Sequence, residues 1–258
     1  MRDLGSQIKL AYAVNLTRLV LLPGLDGTGD LFESFVKALG PGIHSTVVRY
    51  ASPALARYSE CRAAVVARLP RDEPYVLLGE SFSGPIAVAI AAAQPAGLCG
   101  VVLCASFIAT PRRSLRWFRS CIPLMPMHAA PQWASSFFLC GKFGDGKLRR
   151  SIGSTTAAVA PNVLRTRLRE VATVDVSKEL RNVAVPILYL PGTHDRLVPR
   201  SCAERIAGLS PRVTIVDIEA PHMLLQCAPR ECAQVIGAFA RGSSSTSRSG
   251  PLNASEFP

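Results

Sequence analysis

The feature that most constrains this chain is a serine set between glycines where an apolar run meets a run of small residues. Tyr75-Val76-Leu77-Leu78 is apolar, Gly79-Glu80-Ser81-Phe82-Ser83-Gly84 follows, and Pro85-Ile86-Ala87 to Ala91-Ala92-Ala93 reads as a helix of small residues. A strand that turns sharply into a helix through Gly-x-Ser-x-small-Gly holds its serine on a strained elbow, with the hydroxyl exposed. The flanking residues must be small because strand and helix nearly touch there. The helix N-terminus behind the serine supplies positive potential, which favours an oxyanion on a reacting carbonyl. The pattern implies a serine nucleophile.

Around the elbow, short β-branched runs alternate with longer helical patterns. The runs at 19–22, 46–50, 75–78, 98–104, 185–190 and 214–218 predict strands, and those at 31–39, 55–69, 85–94, 200–209 and 229–240 predict helices. Such alternation implies parallel strands joined by right-handed crossovers. Near-continuous apolar strands fit a sheet covered on both faces. Residues 10–14 read as a further, antiparallel edge strand. The alternation stops after Phe107. Residues 110–180 lack strand signals, are rich in Trp and Phe, and carry much of the positive charge. They read as a helical cap insertion over the carboxyl edge of the sheet, its aromatic residues either lining an acyl pocket or forming its own small core. The charged run Arg165-Thr166-Arg167-Leu168-Arg169 reads as solvent-facing. The expected organisation is an α/β core of residues 1–109 and 181–241, the insertion at 110–180, and a polar, low-complexity, disordered tail at 242–258.

A serine hydroxyl is a poor nucleophile near neutral pH and needs a base, and the base needs an orienting acid. In an open α/β sheet these groups must come from loops at the carboxyl ends of strands. His222 follows the strand at 214–218 and suits the base, with capping of the next helix as its alternative. His44 precedes a strand, His128 lies in the insertion, and His194 adjoins the better acid. Asp195 follows the strand at 185–190 through Pro191-Gly192-Thr193-His194. It suits the orienting acid, with a helix cap as its alternative. Asp175 and Asp217 are weaker choices. An oxyanion hole needs two backbone N–H groups. Phe82, next after the serine, supplies one. Leu25, in the glycine-rich loop Pro23-Gly24-Leu25-Asp26-Gly27-Thr28-Gly29, is the choice for the other. That loop lacks both Gly-Lys-Ser/Thr and the Gly-x-Gly-x-x-Gly spacing, so phosphate binding is disfavoured.

The chain order Ser81, Asp195, His222 resembles that of the α/β-hydrolase superfamily, over about residues 18 to 240. The elbow with the Leu22 to Gly29 segment is similar to a subgroup of carboxylesterases and to plastid phytyl ester synthase-type acyltransferases. Two positions depart from the family pattern: Pro23-Gly24 stands for the common His-Gly, and Ser83 for the second elbow glycine. The resemblance implies an α/β-hydrolase fold, a mostly parallel twisted sheet with helices on both faces, and a serine carboxylesterase acting on short to medium acyl esters without a cofactor. Two alternatives stand beside it. One is a thioesterase, carrier-linked methyl esterase or acyltransferase with an acyl-carrier substrate. The other is a non-catalytic ligand-binding protein of the same fold.

Composition narrows the partners. Of 258 residues, 48% are hydrophobic and 18% charged, with a formal charge of +11. The basic middle third reads as a solvated surface, or as a surface that would steer an acidic acyl carrier protein or an anionic substrate. No nucleic-acid motif accompanies it. Eight cysteines without a Cys-x-x-Cys pair, and four scattered histidines, argue against a zinc site and read as reduced thiols in a cytoplasmic protein. Residues 10–22 are too short and polar to span a bilayer.

Overall fold

The apolar runs fold into one six-stranded parallel sheet in the computed structural model, which describes residues 17–112, 114, 117, 119–127 and 132–246. The strands are β1 (Thr17–Leu22), β2 (Ile43–Val47), β3 (Tyr75–Glu80), β4 (Leu98–Cys104), β5 (Ile187–Leu190) and β6 (Val213–Ile215), in spatial order β2-β1-β3-β4-β5-β6. Alternation along each strand sends side chains to two separate cores. Val20, Leu22, Tyr75, Leu77, Val101, Leu103 and Tyr189 join one core with helices α2 (Tyr58–Val66), α3 (Gly84–Ala91) and α8 (Ser201–Ala207). Leu19, Leu21, Val76, Leu78, Val102 and Leu190 join the other with α1 (Glu33–Leu39), α9 (Leu224–Cys227) and α10 (Pro229–Thr246). Both faces of the sheet are thus covered by helices, as a parallel sheet requires.

Between β4 and β5 the described residues form no strand. The segment contains α4 (Gln132–Leu139), α5 (Gly146–Ala157), α6 (Pro161–Thr173) and α7 (Ser177–Arg181). Its two stems are stitched together: Thr110 N–H donates to the Val174 carbonyl at 3.0 Å and Val176 N–H to the Ile108 carbonyl at 2.7 Å.

Several expectations are corrected. The second strand lies at 43–47 rather than 46–50. The chain leaves the sheet at Val48, whose N–H bonds Leu21 at 3.0 Å, and Tyr50 N–H turns to the Gly27 carbonyl at 2.9 Å. The last strand ends at Ile215, and Ile218 makes an isolated bridge to Gly192. The final helix continues to Thr246, beyond the expected end of order at 241. It does so because Phe239 and Ser243 pack over Gly100, where an added Cβ would lie 2.9 and 3.1 Å from them. Arg167 is fully buried (0% exposed), whereas Trp117, Phe137 and Phe138 are exposed. None of those three aromatic residues lines the cavity beside Ser81. The expected edge strand at 10–14, His128 and residues 247–258 lie outside the described residues.

The elbow leaves no room for side chains at Gly79 and Gly84. A Cβ on Gly79 would lie 2.7 Å from the Ser83 carbonyl oxygen, and one on Gly84 would lie 2.8 Å from Ser106 Cβ. Gly79→Ala should therefore cost about 1–3 kcal/mol, read as a lowered urea midpoint. Gly42→Ala, at a site with nothing within 4 Å, should leave the midpoint in place. Equal midpoints for both variants would contradict this account of the elbow.

Candidate functional site

Four of the six strands each deliver one part of the site at the carboxyl end. β1 leads into the glycine-rich loop, β3 into Ser81, β5 into Asp195, and the chain after β6 into His222. Ser81 opens a turn of 3-10 helix with φ of 48°, a left-handed conformation that side chains rarely adopt. Its cost is about 1 kcal/mol or more, and the surroundings must hold it. They do so from β4: Ser106 Oγ donates to the Ser81 carbonyl at 2.6 Å, and Tyr189 Oη donates to the Ser106 carbonyl at 2.6 Å.

Three residues far apart in the chain meet at this rim. His222 Nε2 lies 2.9 Å from Ser81 Oγ, and His222 Nδ1 lies 2.8 Å from Asp195 Oδ2. In the tautomer protonated on Nδ1, the imidazole donates to Asp195 and accepts from the serine hydroxyl. Asp195 and His222 are both buried, 2% and 7% exposed at the side chain, so water competes weakly for these bonds. The second Asp195 oxygen accepts the N–H groups of Leu197 at 2.8 Å and Val198 at 2.9 Å. Asp195 thus caps its own turn with one oxygen and faces His222 with the other, while the helix-cap position weighed for it is taken by Arg200. The other candidates stand elsewhere. His194 is half-exposed, 4.0 Å from Glu219. Asp175 and Asp217 pair with Arg205 and Arg200. His44 lies in β2 near the opposite sheet edge.

Leu25 and Phe82, the expected oxyanion donors, both border the cavity beside Ser81 and His222. The cavity has a volume of about 340 Å³. Its walls are aliphatic: Leu31, Leu139, Ile152, Leu164, Leu168, Val171 and Met223, with Phe107 and Met127 among them. Two aromatic residues, Phe82 and Phe107, line it among the described residues, in place of the aromatic set expected from the segment after β4. Polar groups are few, chiefly Asp26, Glu80 and Arg112. Arg112 is held at the rim, its Nη2 donating to the Arg196 carbonyl at 2.7 Å.

The loop after β1 is fixed from behind. Tyr50 Oη donates to the Pro23 carbonyl at 2.6 Å, and the Ser83 hydroxyl lies within bonding distance of both, with one proton to give to either. Ser83 is 0% exposed. Instead of shaping the cavity floor, its hydroxyl bolts the elbow to the neighbouring loop. Thr28 N–H donates to Asp26 Oδ2 at 2.8 Å, and Gly27 N–H donates to the Gly24 carbonyl at 3.1 Å. Gly27 has φ of 69°, which glycine adopts without penalty.

Sequence reading singled out Ser83 but missed Tyr50, Ser106, Gln226 and the inward role of Arg167. Arg167 alone left a clear trace. Val163, Leu164, Arg167 and Val171 fall on one side of α6, so the arginine occupies the apolar stripe of its helix. Gln226 sits one helical turn beyond His222.

Glu80 is the site's most perturbed carboxyl group. Burial pushes its pKa from 4.5 up to about 7, against the opposing help of Gln226, His222 and the Gly24 N–H, while Asp26 adds to the rise. Gln226 Nε2 donates to Glu80 Oε1 at 2.9 Å. Folding therefore favours the protonated acid. Its stabilising contribution is complete below about pH 4.5 and is lost as the pH rises to about 7. Urea midpoints of the wild type relative to Glu80→Gln should fall across that window. Parallel curves for the two proteins would rule out a shifted Glu80.

Comparison with known proteins agrees with this architecture. Residues 19–235 match the sequence profile described as "Alpha/beta hydrolase family". Over 56 residues the chain is 34% identical to "Putative carbamate hydrolase RutD" of Caulobacter sp. (strain K31), a stretch covering 22% of this chain and 21% of that protein. The chain therefore spans about a fifth of that relative's length. Among solved structures, bromoperoxidase from Bacillus anthracis superposes with a TM-score of 0.75 at 14% identity, covering 88% of this chain and 92% of that one. A thermophilic esterase from Thermogutta terrifontis gives 0.73 at 18% identity, covering 88% and 90%. An esterase from Exiguobacterium antarcticum gives 0.75 at 13% identity, covering 87% and 92%. At these identities the likeness is one of fold. The profile match spans most of the chain, and with it the strand order and the serine elbow: the chain belongs to the α/β-hydrolase family.

Proposed function

We propose that this protein is a serine carboxylesterase acting on short to medium acyl esters through an acyl-enzyme. The observation that carries the reading is the unbroken hydrogen-bonded line Asp195–His222–Ser81, ending at an aliphatic cavity. In this reading Ser81 Oγ attacks the ester carbonyl while His222 Nε2 takes its proton. Asp195 holds the ring in the tautomer that can do so and stabilises the imidazolium that forms. The Leu25 and Phe82 N–H groups hold the tetrahedral oxyanion. The imidazolium then protonates the departing alkoxide. Water, deprotonated by the same imidazole, attacks the acyl-enzyme and releases the acid.

The cavity favours an apolar acyl group. Its volume, about 340 Å³, falls at the lower end of the range for small-molecule sites, and a long chain would outgrow it. Residues 110–180 act as a cap in this reading, with Met127, Leu139, Ile152, Leu164, Leu168 and Val171 forming the acyl wall.

On a panel of p-nitrophenyl esters, kcat/KM should peak at short or medium chains and fall for long ones. Ser81→Ala should lower it by about 10³-fold or more, because the three residues act as a unit. A fluorophosphonate should label the wild type and not Ser81→Ala. Wild-type turnover by Ser81→Ala would refute the mechanism.

A further inference from the structure

Among the described residues of the basic middle third, one cation has left the surface. Arg167, on α6, is 0% exposed and reaches beneath the loop after β1. Its Nη1 donates to the Leu25 carbonyl at 2.6 Å, and its Nη2 donates to the Leu55 carbonyl at 2.8 Å and to the Tyr50 carbonyl. The guanidinium also lies over two rings, 5.4 Å from the Tyr50 centroid and 5.6 Å from that of Phe82. No carboxylate stands within ion-pair distance of it among the described residues. Its Nε is buried without a partner.

Burying a guanidinium against carbonyls and the Cys61 thiol, with no carboxylate to pair it, is costly, and an apolar side chain of similar size often serves stability as well or better. The contacts suggest what the charge does instead. All three carbonyls belong to loops around the elbow, and one belongs to Leu25. Loop carbonyls on either side are also held from behind: Pro23 by Tyr50 and Ser83, Gly24 by Gly27 N–H, and Gly27 by Tyr50 N–H. Gly27 leaves room for the guanidinium, since a Cβ there would lie 2.7 Å from Arg167 Nη1. The Leu25 carbonyl lies one peptide beyond the Leu25 N–H assigned to the oxyanion, so Arg167 restrains Leu25 from its far side while Gly27 N–H holds the Gly24 carbonyl, which shares the plane of that N–H. A carbonyl left free in this loop could turn toward the cavity and place negative charge where the oxyanion develops.

We propose that Arg167 is a positioning residue for the oxyanion hole, clamping the Leu25 carbonyl from the cap side so that the Leu25 N–H faces Ser81. The inference rests on the esterase reading above. It makes the helical segment a working part of the transition-state site as well as a wall of the acyl pocket.

The test uses the full chain, an ester of the preferred length, and an alkyl trifluoromethyl ketone. Ser81 Oγ adds to that ketone's carbonyl, its proton passes to His222, and the resulting oxyanion occupies the hole. Arg167→Met should fold, lose about tenfold or more in kcat, and keep KM within about threefold. Its affinity for the ketone should fall in proportion to kcat/KM. Arg167→Lys, which keeps the charge but reaches fewer carbonyls, should lie between. Unchanged kcat and ketone affinity in folded Arg167→Met would overturn the proposal. If that variant does not fold, Arg167→Lys decides on the same two readouts. Failure of both to fold also overturns it, because the guanidinium would then be a staple of the fold. A wild type that neither turns over esters nor takes the fluorophosphonate would instead refute the esterase reading.

Discussion

The whole site depends on one close approach, that of β3 to α3 at the elbow. Gly79 lets the two backbones come within a distance that a Cβ would obstruct, and Gly84 makes the same room against Ser106 beyond β4. The chain there is forced into a left-handed turn at Ser81, and the turn projects the hydroxyl beyond the sheet edge. Strain of this size persists only where neighbours over-determine it. Two do so from opposite sides. Ser106 holds the Ser81 carbonyl from the end of β4, and Ser83 with Tyr50 holds Pro23 after β1. The strand order β1-β3-β4 places those two supports on either flank of the elbow.

Parallel topology does the rest of the gathering. Strands that all run the same way deliver every following loop to one rim, so residues more than a hundred positions apart can share a proton line. Ser81 and His222 are 141 residues apart and 2.9 Å apart in space. Asp195 is held by the backbone N–H groups of its own turn, which leaves one carboxylate oxygen for the imidazole. The orientation of His222 is therefore inherited from the turn after β5.

How much of this was legible in the sequence varied with the range of the interaction. The strands at 75–78 and 98–104 stood out because continuous apolar runs between turn residues leave few alternatives. Ser81, Asp195 and His222 could be placed at strand ends by local pattern and chain order. The boundary of β2 could not, because Val48 and Tyr50 are as buried as a strand yet turn away to the loop after β1. The exposed aromatics of the 110–180 segment misled for a related reason: periodicity reports an apolar face but not which surface covers it. Ser83 was visible as a departure from the family pattern, but its bond to Pro23 depends on a loop sixty residues away. Arg167 lay on an apolar stripe, a local anomaly that a charged neighbourhood disguised.

Two buried ionisable groups flank the loop that carries Leu25, and their arrangement differs from a direct ion pair. Glu80 receives the Gly24 N–H, and Arg167 donates to the Leu25 carbonyl. The acid and the cation thus grip consecutive residues of the same backbone from opposite sides. A direct pair would neutralise both charges and leave the loop unheld. Routing them through peptide groups orients the loop dipoles instead, the N–H toward the acid and the C=O toward the guanidinium. This placement costs solvation on both sides, visible in the upward push on Glu80 and the downward push on Arg167. A fold selected for stability alone would gain little from either group. Under the proposed oxyanion role of the Leu25 N–H, the fold gains a loop that cannot relax toward its substrate. That rigidity is what electrostatic preorganisation requires.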